Sequence, residues 1–301
     1  MRILQIGKTG QLALELSRRT RERGHDTVVW SRADADLDKP EVVAEALRQA
    51  APFDVAIIAA AYTGVDKAET DEDSARRVNA DSVRVIGEAC AARNVPVIHV
   101  STDYVFSGDR TDRPSRPEDP VGPTGAYGRT KLAGEAALRD VCTKHVIIRT
   151  AWVYSVHGHN FVKTMLRVGR ERDALRIVSD QRGCPTEAGT LAEAVLAAAE
   201  LSVSDPAPAL WGIFHYTGAG ETSWYDFART IFELAPNGLT GQPDLAGIAS
   251  SEYPTPARRP ASSALDCSTF VRVFNVPQVD WRHSLKGVLN ELAKIEILEK
   301  S

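Results

Sequence analysis

The sequence predicts an α/β fold in which a doubly wound parallel sheet is followed by a smaller, mixed C-terminal lobe. In the first 150 residues, short apolar runs alternate with longer amphipathic segments of helical periodicity. Strands that are apolar at almost every position are typical of parallel sheets covered by helices on both faces. The regular alternation indicates right-handed βαβ units.

The predicted elements follow one another closely up to residue 150. Strands are expected at 2–6, 26–31, 54–60, 95–101 and 144–150. Helices are expected between them at 11–24, 41–50, 74–94 and 126–141. After residue 151 the alternation loosens, and further helices are expected at about 160–172, 187–201, 223–233 and 284–299. We therefore predict a dinucleotide-binding domain at 1–150 and a mainly substrate-binding lobe at 151–301, with some of its segments returning to the first domain.

Composition excludes several classes of protein. The chain has 301 residues, a formal net charge of −4 and no Lys/Arg run, so a nucleic-acid partner is not predicted. The longest apolar run, 55–61, is far shorter than the roughly 20 residues of a membrane span. The scattered Cys90, Cys142, Cys184 and Cys267 indicate a reduced, cytoplasmic setting and no metal site. Because the sequence starts directly with a strand pattern, we expect no signal peptide.

A glycine loop joins the first predicted strand to the first predicted helix. Residues 7–13 read GKTGQLA, and Gly7 and Gly10 would let the backbone turn tightly beside a pyrophosphate at the helix N-terminus. The pattern G-x-x-G-x-x-A is weak alone. Its place inside a βαβ unit predicts dinucleotide binding and therefore a Rossmann-type sheet. No G-K-[ST] is present, so the loop is not a Walker A motif.

The end of the second predicted strand bears on the choice of nicotinamide cofactor. An NAD site usually has an acidic residue there, which holds the ribose 2′-hydroxyl. This chain instead has Arg32 after Trp30 and Ser31. An arginine suits a 2′-phosphate, although a solvated surface arginine is an equal explanation. We favour NADPH and leave NADH open, and we expect Asp36 and Leu37 to flank the adenine.

Tyr127 and Lys131 are four residues apart on one predicted helix, so they share a face. Because a nearby ammonium stabilises a phenolate, we expect Lys131 to lower the pKa of Tyr127 from its usual value of about 10. Such a tyrosine can protonate the alkoxide formed when a hydride reaches a ketone. A tyrosine and a lysine at this spacing often occur by chance, so the two residues alone are weak evidence. Thr102 and Asp103, however, end the fourth strand at the sheet edge where ligands bind, and a hydroxyl there could bond a substrate carbonyl.

Together these motifs resemble the extended short-chain dehydrogenase/reductase superfamily and, in detail, its dTDP-4-dehydrorhamnose reductase family. The matching stretches run from residue 7 to about 265 and include GKTGQL, AAYTGVDKAE, HVSTDYVFSG, YGRTKLAGE, DQRGCPT and YPTPARRPASSAL. That family reduces the 4-keto group of dTDP-4-dehydro-β-L-rhamnose with a nicotinamide cofactor and gives dTDP-L-rhamnose. A dTDP-sugar is therefore the expected substrate.

The resemblance implies roles for individual residues. Tyr127 would be the acid/base, Lys131 its pKa tuner and a ligand of the nicotinamide ribose, and Thr102 the hydroxyl that polarises the carbonyl. Further cofactor contacts are implied for Gln11, Leu12, Ala61, Tyr62 and Thr63. Substrate contacts are expected from Asp103, Trp152, Asn160 and Arg258.

Three of the substrate candidates have simpler explanations. Trp152 could be a core aromatic, and Asn160 could only cap a helix. Arg258 and its neighbour Arg259 could be solvated, although forked hydrogen bonds to a diphosphate would suit at least one of them.

Some members of the family form dimers around Mg²⁺ held by acidic residues. Glu15 and Glu193 match such positions, but Gly189 stands where a third acid is expected. We therefore doubt a metal-bridged dimer, and a monomer and a homodimer both stay open.

Two other functions also stay open. One is a reductase or epimerase of another nucleotide-linked deoxysugar. The other is a catalytically silent nucleotide-binding protein, like the related regulatory subunit of methionine adenosyltransferase. The intact Thr102, Tyr127 and Lys131 argue against a silent role.

Overall fold

The computed structural model describes residues 1–299. Its strands are β1 (Arg2–Ile6), β2 (Asp26–Trp30), β3 (Val55–Ile58), β4 (Val97–Thr102), β5 (His145–Thr150), β6 (Val153–Tyr154), β7 (Ala174–Val178), β8 (Arg182–Gly183), β9 (Thr186–Glu187), β10 (Gly212–His215), β11 (Thr222–Ser223), β12 (Asp244–Ile248) and β13 (Ser262–Ser263). Its α-helices are α1 (Gln11–Glu22), α2 (Pro40–Gln49), α3 (Val65–Ala68), α4 (Glu72–Arg76), α5 (Ser82–Ala92), α6 (Ala126–Val141), α7 (Phe161–Glu171), α8 (Ala188–Ser204), α9 (Trp224–Leu234), α10 (Ser268–Phe274) and α11 (Trp281–Glu299). Residues 300 and 301, the end of the predicted substrate lobe, lie outside the described residues.

The central sheet has the strand order β10-β5-β4-β3-β1-β2, and all of its neighbouring strands are parallel. The chain passes from β1 outward to β2 and then crosses back beyond β1 to β3, so its winding reverses between β1 and β3. Doubly wound sheets bind ligands beyond the carboxyl ends of the strands at such a reversal. The predicted α/β fold with a parallel sheet is confirmed, and the glycine loop after β1 lies at this position.

Helices cover both faces of the sheet. On one face α1, α8 and α10 pack over a core that contains Ile3 and Ile57, and on the other α2, α5 and α6 pack over Leu4 and Ile58. Neighbouring residues of a strand point to opposite faces, so each pair contributes one side chain to each core. Full burial stabilises each such side chain by about 1.5–3 kcal/mol relative to exposure. This explains why the strands are apolar throughout.

The second half of the chain contributes to two different layers. Strand β10 extends the central sheet beside β5, and α8 packs against α1. The helices α7, α9 and α11 instead surround a third core beside the parallel pair β7–β12. The helices predicted at 160–172, 187–201, 223–233 and 284–299 correspond to α7, α8, α9 and α11. Strands β7 and β12 were not predicted, because each is short and only half-buried.

The helix predicted at 74–94 is interrupted by a π-helical turn at Arg77–Asp81, between α4 and α5. The turn carries Asn79, whose Oδ1 accepts a hydrogen bond from the Tyr62 backbone N–H at 2.9 Å. Its Nδ2 donates to the Tyr62 carbonyl at 3.2 Å and to Thr130 Oγ1 at 3.1 Å. Single π turns occur frequently at functional sites. Here the turn fastens the loop after β3 to α6.

Gly134 of α6 packs directly against this π turn, and a Cβ atom there would lie 1.9 Å from the Asn79 carbonyl oxygen. We expect Gly134→Ala to lower the free energy of unfolding by about 1–3 kcal/mol, because the backbone contact leaves no room for a methyl group. Urea denaturation followed by circular dichroism measures this change. The control is Gly287→Ala in α11, where a Cβ would meet nothing within 4 Å. That variant should gain about 0.5–1 kcal/mol from helix propensity, and equal gains in both variants would contradict the close packing.

Candidate active site

A cleft of about 560 Å³ opens where the winding of the sheet reverses. Gly7 lies on its floor with a φ of +120°, and a Cβ atom there would come within 3.0 Å of the Ala60 nitrogen. Helix α1 begins beside it at Gln11. Its N-cap is Gly10, which has no side chain with which to bond the first N–H groups of the helix. The first backbone N–H groups of a helix have no acceptor inside it, and they carry the positive end of the helix dipole. This cradle fits the pyrophosphate of a dinucleotide.

Gln11 and Leu12 can reach such a ligand only through their backbone N–H groups. The Gln11 Oε1 atom accepts hydrogen bonds from Ser155 Oγ at 2.9 Å and from Asn160 Nδ2 at 3.0 Å. The Leu12 side chain is buried in the core beneath α1. Gln11 therefore joins the glycine loop to the second half of the chain, a role that the sequence did not suggest.

The far end of the cleft is lined by further residues predicted to contact the cofactor. They include Arg32, Asp36 and Leu37 after β2, and Ala61, Tyr62 and Thr63 after β3. Arg32 Nε lies 3.1 Å from Asp36 Oδ1, and the Arg32 side chain is 77% exposed. A solvent-facing guanidinium at this end suits a 2′-phosphate. The Tyr62 backbone is held by Asn79, a residue with no predicted role.

Thr102, Asp103 and Tyr127 meet at the carboxyl edge of the sheet. Thr102 ends β4, and its Oγ1 donates to Asp103 Oδ1 at 3.0 Å and accepts from the Tyr104 N–H at 3.2 Å. Tyr127 lies in the first turn of α6, and its ring packs edge-on against the ring of Tyr104 with centroids 5.5 Å apart. The predicted hydroxyl pair is therefore assembled by one strand end and one helix start.

The pKa of Tyr127 is raised to about 12, mainly by burial and further by the Asp103 carboxylate, while a hydrogen bond with Thr102 acts in the opposite direction. The expected lowering by Lys131 is wrong for the protein alone. The Lys131 ammonium donates to the Val100 carbonyl at 2.8 Å and lies 3.3 Å from His99 Nε2. Burial lowers the pKa of Lys131 to about 8. Lys131 of α6 is thus a buried cation whose ammonium is bonded to the backbone of β4.

A second cavity, of about 830 Å³, has Tyr104 in its wall, the residue whose ring packs against Tyr127. Trp152 lines it and has a φ of +50°, which is rare for a bulky residue. Its indole ring stacks on Trp224 with centroids 3.5 Å apart and planes 12° from parallel. A Cβ at Gly183 would fall 2.6 Å from the same ring. A strained backbone of this kind persists only when its surroundings fix it, so the indole is held rigidly at the cavity wall.

Two predicted substrate contacts are placed differently by the structure. Arg258 is exposed and bonds to Asp109 at 2.9 Å, whereas its neighbour Arg259 lines the second cavity and bonds to Asp66 at 2.6 Å. The pattern of adjacent arginines could not tell which one would point inward. Asn160 caps α7 through the Lys163 N–H at 3.1 Å. Its amide also bonds to Gln11, so it links elements and does not line the cavity.

The acidic positions considered for Mg²⁺ are occupied by arginine contacts. Glu15 is buried and pairs with Arg18 and Arg19, and Glu193 pairs with Arg19 and Arg23. Within residues 1–299 no group of three or more His, Cys, Asp and Glu side chains could hold a metal ion. Glu15 and Glu193 are thus held by arginines of the same chain. Across the same residues, no helix is both long and apolar enough to cross a membrane.

Comparison with known proteins gives a consistent result. The sequence model of the RmlD substrate binding domain matches residues 1–294. The dTDP-4-dehydrorhamnose reductase of Sinorhizobium fredii is 43% identical over 96% of this chain and 97% of its own. A crystal structure of a dTDP-4-dehydrorhamnose reductase from Clostridium acetobutylicum superposes with a TM-score of 0.89 at 34% identity, covering 97% of this chain and 100% of that one. The Bacillus anthracis protein of the same name, in complex with NADP, has a TM-score of 0.87 at 30% identity, with 96% and 99% covered.

Asp103 supplies a test of how much the site destabilises the fold. Burial raises its pKa to about 6, above the usual value of about 3.9. The folded protein therefore binds an extra proton between about pH 4 and pH 6, and stability falls as the pH rises through this window. We expect Asp103→Asn to be about 1–3 kcal/mol more stable than the unmodified protein at pH 8, with no difference near pH 4.

Urea unfolding at both pH values measures the effect of Asp103→Asn. Asp109→Asn is the matched control, because Asp109 is exposed and pairs only at the surface with Arg258. Its stability should change by less than about 0.5 kcal/mol at either pH. If Asp103→Asn were less stable than the unmodified protein at pH 8, the ionised carboxylate would be shown to stabilise the folded protein.

Proposed function

Because the chain belongs to the dTDP-4-dehydrorhamnose reductase family, we propose that it reduces the 4-keto group of dTDP-4-dehydro-β-L-rhamnose with NADPH and yields dTDP-L-rhamnose. It is thus an oxidoreductase of dTDP-rhamnose biosynthesis. The observation that supports the reaction most directly is the placement of Thr102 and Tyr127 together at the carboxyl edge of the sheet, where Tyr127 packs against Tyr104 in the wall of the second cavity. A silent nucleotide-binding role would not require this arrangement.

The first cleft would hold the cofactor. The N-terminus of α1 and the backbone at Gly7 and Gly10 would bind the pyrophosphate, and Arg32 would bind the 2′-phosphate. When bound, NADPH supplies the hydride that reduces the carbonyl carbon. We propose that residues 1–150 mainly bind this cofactor. The later residues would mainly bind the substrate, apart from β10 and α8, which complete the nucleotide-binding layers.

Thr102 and Tyr127 would act on the carbonyl oxygen. The Thr102 hydroxyl would hydrogen-bond that oxygen, and Tyr127 would give it a proton as the alkoxide forms. A pKa of about 12 keeps Tyr127 protonated before the reaction, while an alkoxide is a strong enough base to take its proton. The tyrosinate left behind would be reprotonated from solvent. The buried Lys131 ammonium, which does not lower the pKa of Tyr127 in the protein alone, would bind the nicotinamide ribose.

The second cavity would hold the dTDP-sugar. Arg259 Nη1 is buried and has no hydrogen-bond partner within residues 1–299, so it is an available donor for the diphosphate. Asp103 Oδ2 likewise has no partner in the described part of the chain and could accept a bond from a sugar hydroxyl. The stacked Trp152 would form an apolar wall. We place the enzyme in the cytoplasm, as its reduced cysteines suggest.

The role of Tyr127 is tested by Tyr127→Phe, which keeps the ring and removes the proton. We expect kcat to fall by about 10²–10⁴-fold, the usual contribution of a general acid, with the Kd for NADPH changed less than about twofold. Oxidation of NADPH by freshly prepared dTDP-4-dehydrorhamnose measures the first quantity, and nicotinamide fluorescence measures the second. Tyr225→Phe on α9 is the matched control, and unimpaired turnover in Tyr127→Phe would end the assignment.

Cofactor choice is tested by Arg32→Ala. Loss of a charge-assisted contact with the 2′-phosphate should raise KM for NADPH by about tenfold or more, while KM for NADH should change little. Arg48→Ala on α2 removes another largely exposed arginine, one that pairs with Glu45, and it should change neither KM. If Arg32→Ala weakened both cofactors alike, the arginine would have no role in selecting between them.

A further inference from the structure

A buried ion pair that the proposed reaction does not use lies beneath the catalytic residues. Arg149 Nε donates to Glu135 Oε1 at 2.9 Å, and Arg149 Nη2 donates to Glu135 Oε2 at 2.6 Å. The two side chains are only 2% and 1% exposed. Ser101 Oγ adds a third hydrogen bond to Glu135 Oε1 at 2.5 Å. The carboxylate is therefore fully bonded and held in one orientation.

The position of Glu135 connects the two elements that carry the proposed catalytic groups, α6 and β4, to the neighbouring strand β5. Glu135 lies one turn after Lys131 on α6, and Ser101 directly precedes Thr102 on β4. Arg149 faces Ser101 across the β4–β5 pair, one residue before the neighbouring pair Thr102 and Thr150. A shift of this carboxylate would therefore move both the lysine and the strand end that bears the catalytic threonine.

Stability alone does not explain why such a pair is buried here. Removing two charges from water costs about as much as their attraction returns, and well-packed apolar replacements are often equally stable. The pair nevertheless lies in the core of an enzyme site, directly beside a second buried cation. The neighbouring residues show what it can do for that cation.

Lys131 has few groups that can balance its charge. His99 on β4 approaches its ammonium, but burial and the ammonium itself keep the pKa of His99 well below the usual value, so the imidazole is neutral. The Val100 carbonyl offers only a dipole. Tyr127, one turn before Lys131 on α6, is protonated, and His215 on β10 is neutral beside Arg149 because burial lowers its pKa to about 3. The negative group that acts on Lys131 is Glu135.

We propose that Glu135 is a positioning residue whose carboxylate, oriented by Arg149 and Ser101, keeps Lys131 in the ammonium form and fixes it relative to Thr102. The inference deepens the proposed function and rests on it. Arg149 supplies the orientation, and Ser101 transmits it to β4. The sequence offers a hint of the arrangement, since Arg149 follows three consecutive buried apolar residues in the strand HVIIRT.

The test compares Glu135→Gln with the conservative Glu135→Asp across pH 6 to 9.5. In the unmodified enzyme we expect kcat and NADPH affinity to fall as Lys131 loses its proton near pH 8. In Glu135→Gln this fall should begin about one pH unit lower, since the attraction of a buried carboxylate is gone. At pH 8 kcat should drop roughly fivefold, and at pH 6 less than about threefold. Glu135→Asp keeps the charge and should keep the pH of the fall, even if its maximal rate is lower.

Two controls separate this role from a structural one. Glu88→Gln on α5 makes the same change at an exposed ion pair with Arg84 and should leave both profiles unchanged. Because Glu135→Gln leaves Arg149 buried and unpaired, Glu135→Gln/Arg149→Gln removes both charges and should fold more stably than the single variant. If Glu135 acts through Lys131, the double variant keeps the shifted profile although its stability recovers.

The proposal is overturned if folded Glu135→Gln or the double variant has the pH profile of the unmodified enzyme. It is equally overturned if Glu135→Asp shifts the profile as far as Glu135→Gln does. The NADPH affinity profile, measured by fluorescence without any sugar, does not depend on the identity of the substrate. Failure of the unmodified enzyme to reduce dTDP-4-dehydrorhamnose would therefore count against the proposed function and leave the Glu135 test standing.

Discussion

The constraint on which this protein depends is the burial of one parallel sheet on both faces. Because every strand runs the same way, all carboxyl ends reach a single edge, and every polar group needed for chemistry must be placed there. The glycine loop after β1, the small residues after β3 and Thr102 at the end of β4 all occupy that edge. The apolar strands behind them carry no chemistry, but they fix where each strand ends.

A site built on such an edge pushes its buried Tyr127, Asp103 and Lys131 towards their neutral forms. Burial raises the pKa of Tyr127 and Asp103 and lowers that of Lys131. For a proton donor this is an advantage, since Tyr127 keeps its proton until a stronger base forms. For Lys131 it is a disadvantage, because a neutral amine loses the charge on which its proposed contact with the cofactor depends. We infer that the fully bonded Glu135 offsets this effect, at the cost of burying its own ion pair with Arg149.

The sequence predicted those parts of the site that depend on backbone direction. The places of Gly7, Thr102 and Tyr127 follow from strand ends and helix starts, which periodicity reveals. The sequence could not predict those features of the site that depend on side-chain direction or on tertiary contacts. Nothing local distinguishes the inward Arg259 from the outward Arg258, or shows that Gln11 and Asn160 bond to each other. The π turn at Asn79 is also invisible in a pattern that is otherwise helical.

The two cavities differ in what determines their shape, and this difference bears on substrate choice. The cofactor cleft is formed largely by backbone: a glycine turn, a helix N-terminus and a loop that Asn79 clamps. The substrate cavity is formed by side chains from elements late in the chain, above all the Trp152–Trp224 stack and Arg259. Side chains that line a cavity can be substituted without moving the sheet. The backbone cradle, in contrast, cannot change unless the sheet and its loops move. Under the proposed function, the fold itself would hold the cofactor, whereas the choice of nucleotide sugar would depend mainly on the side chains that line the second cavity.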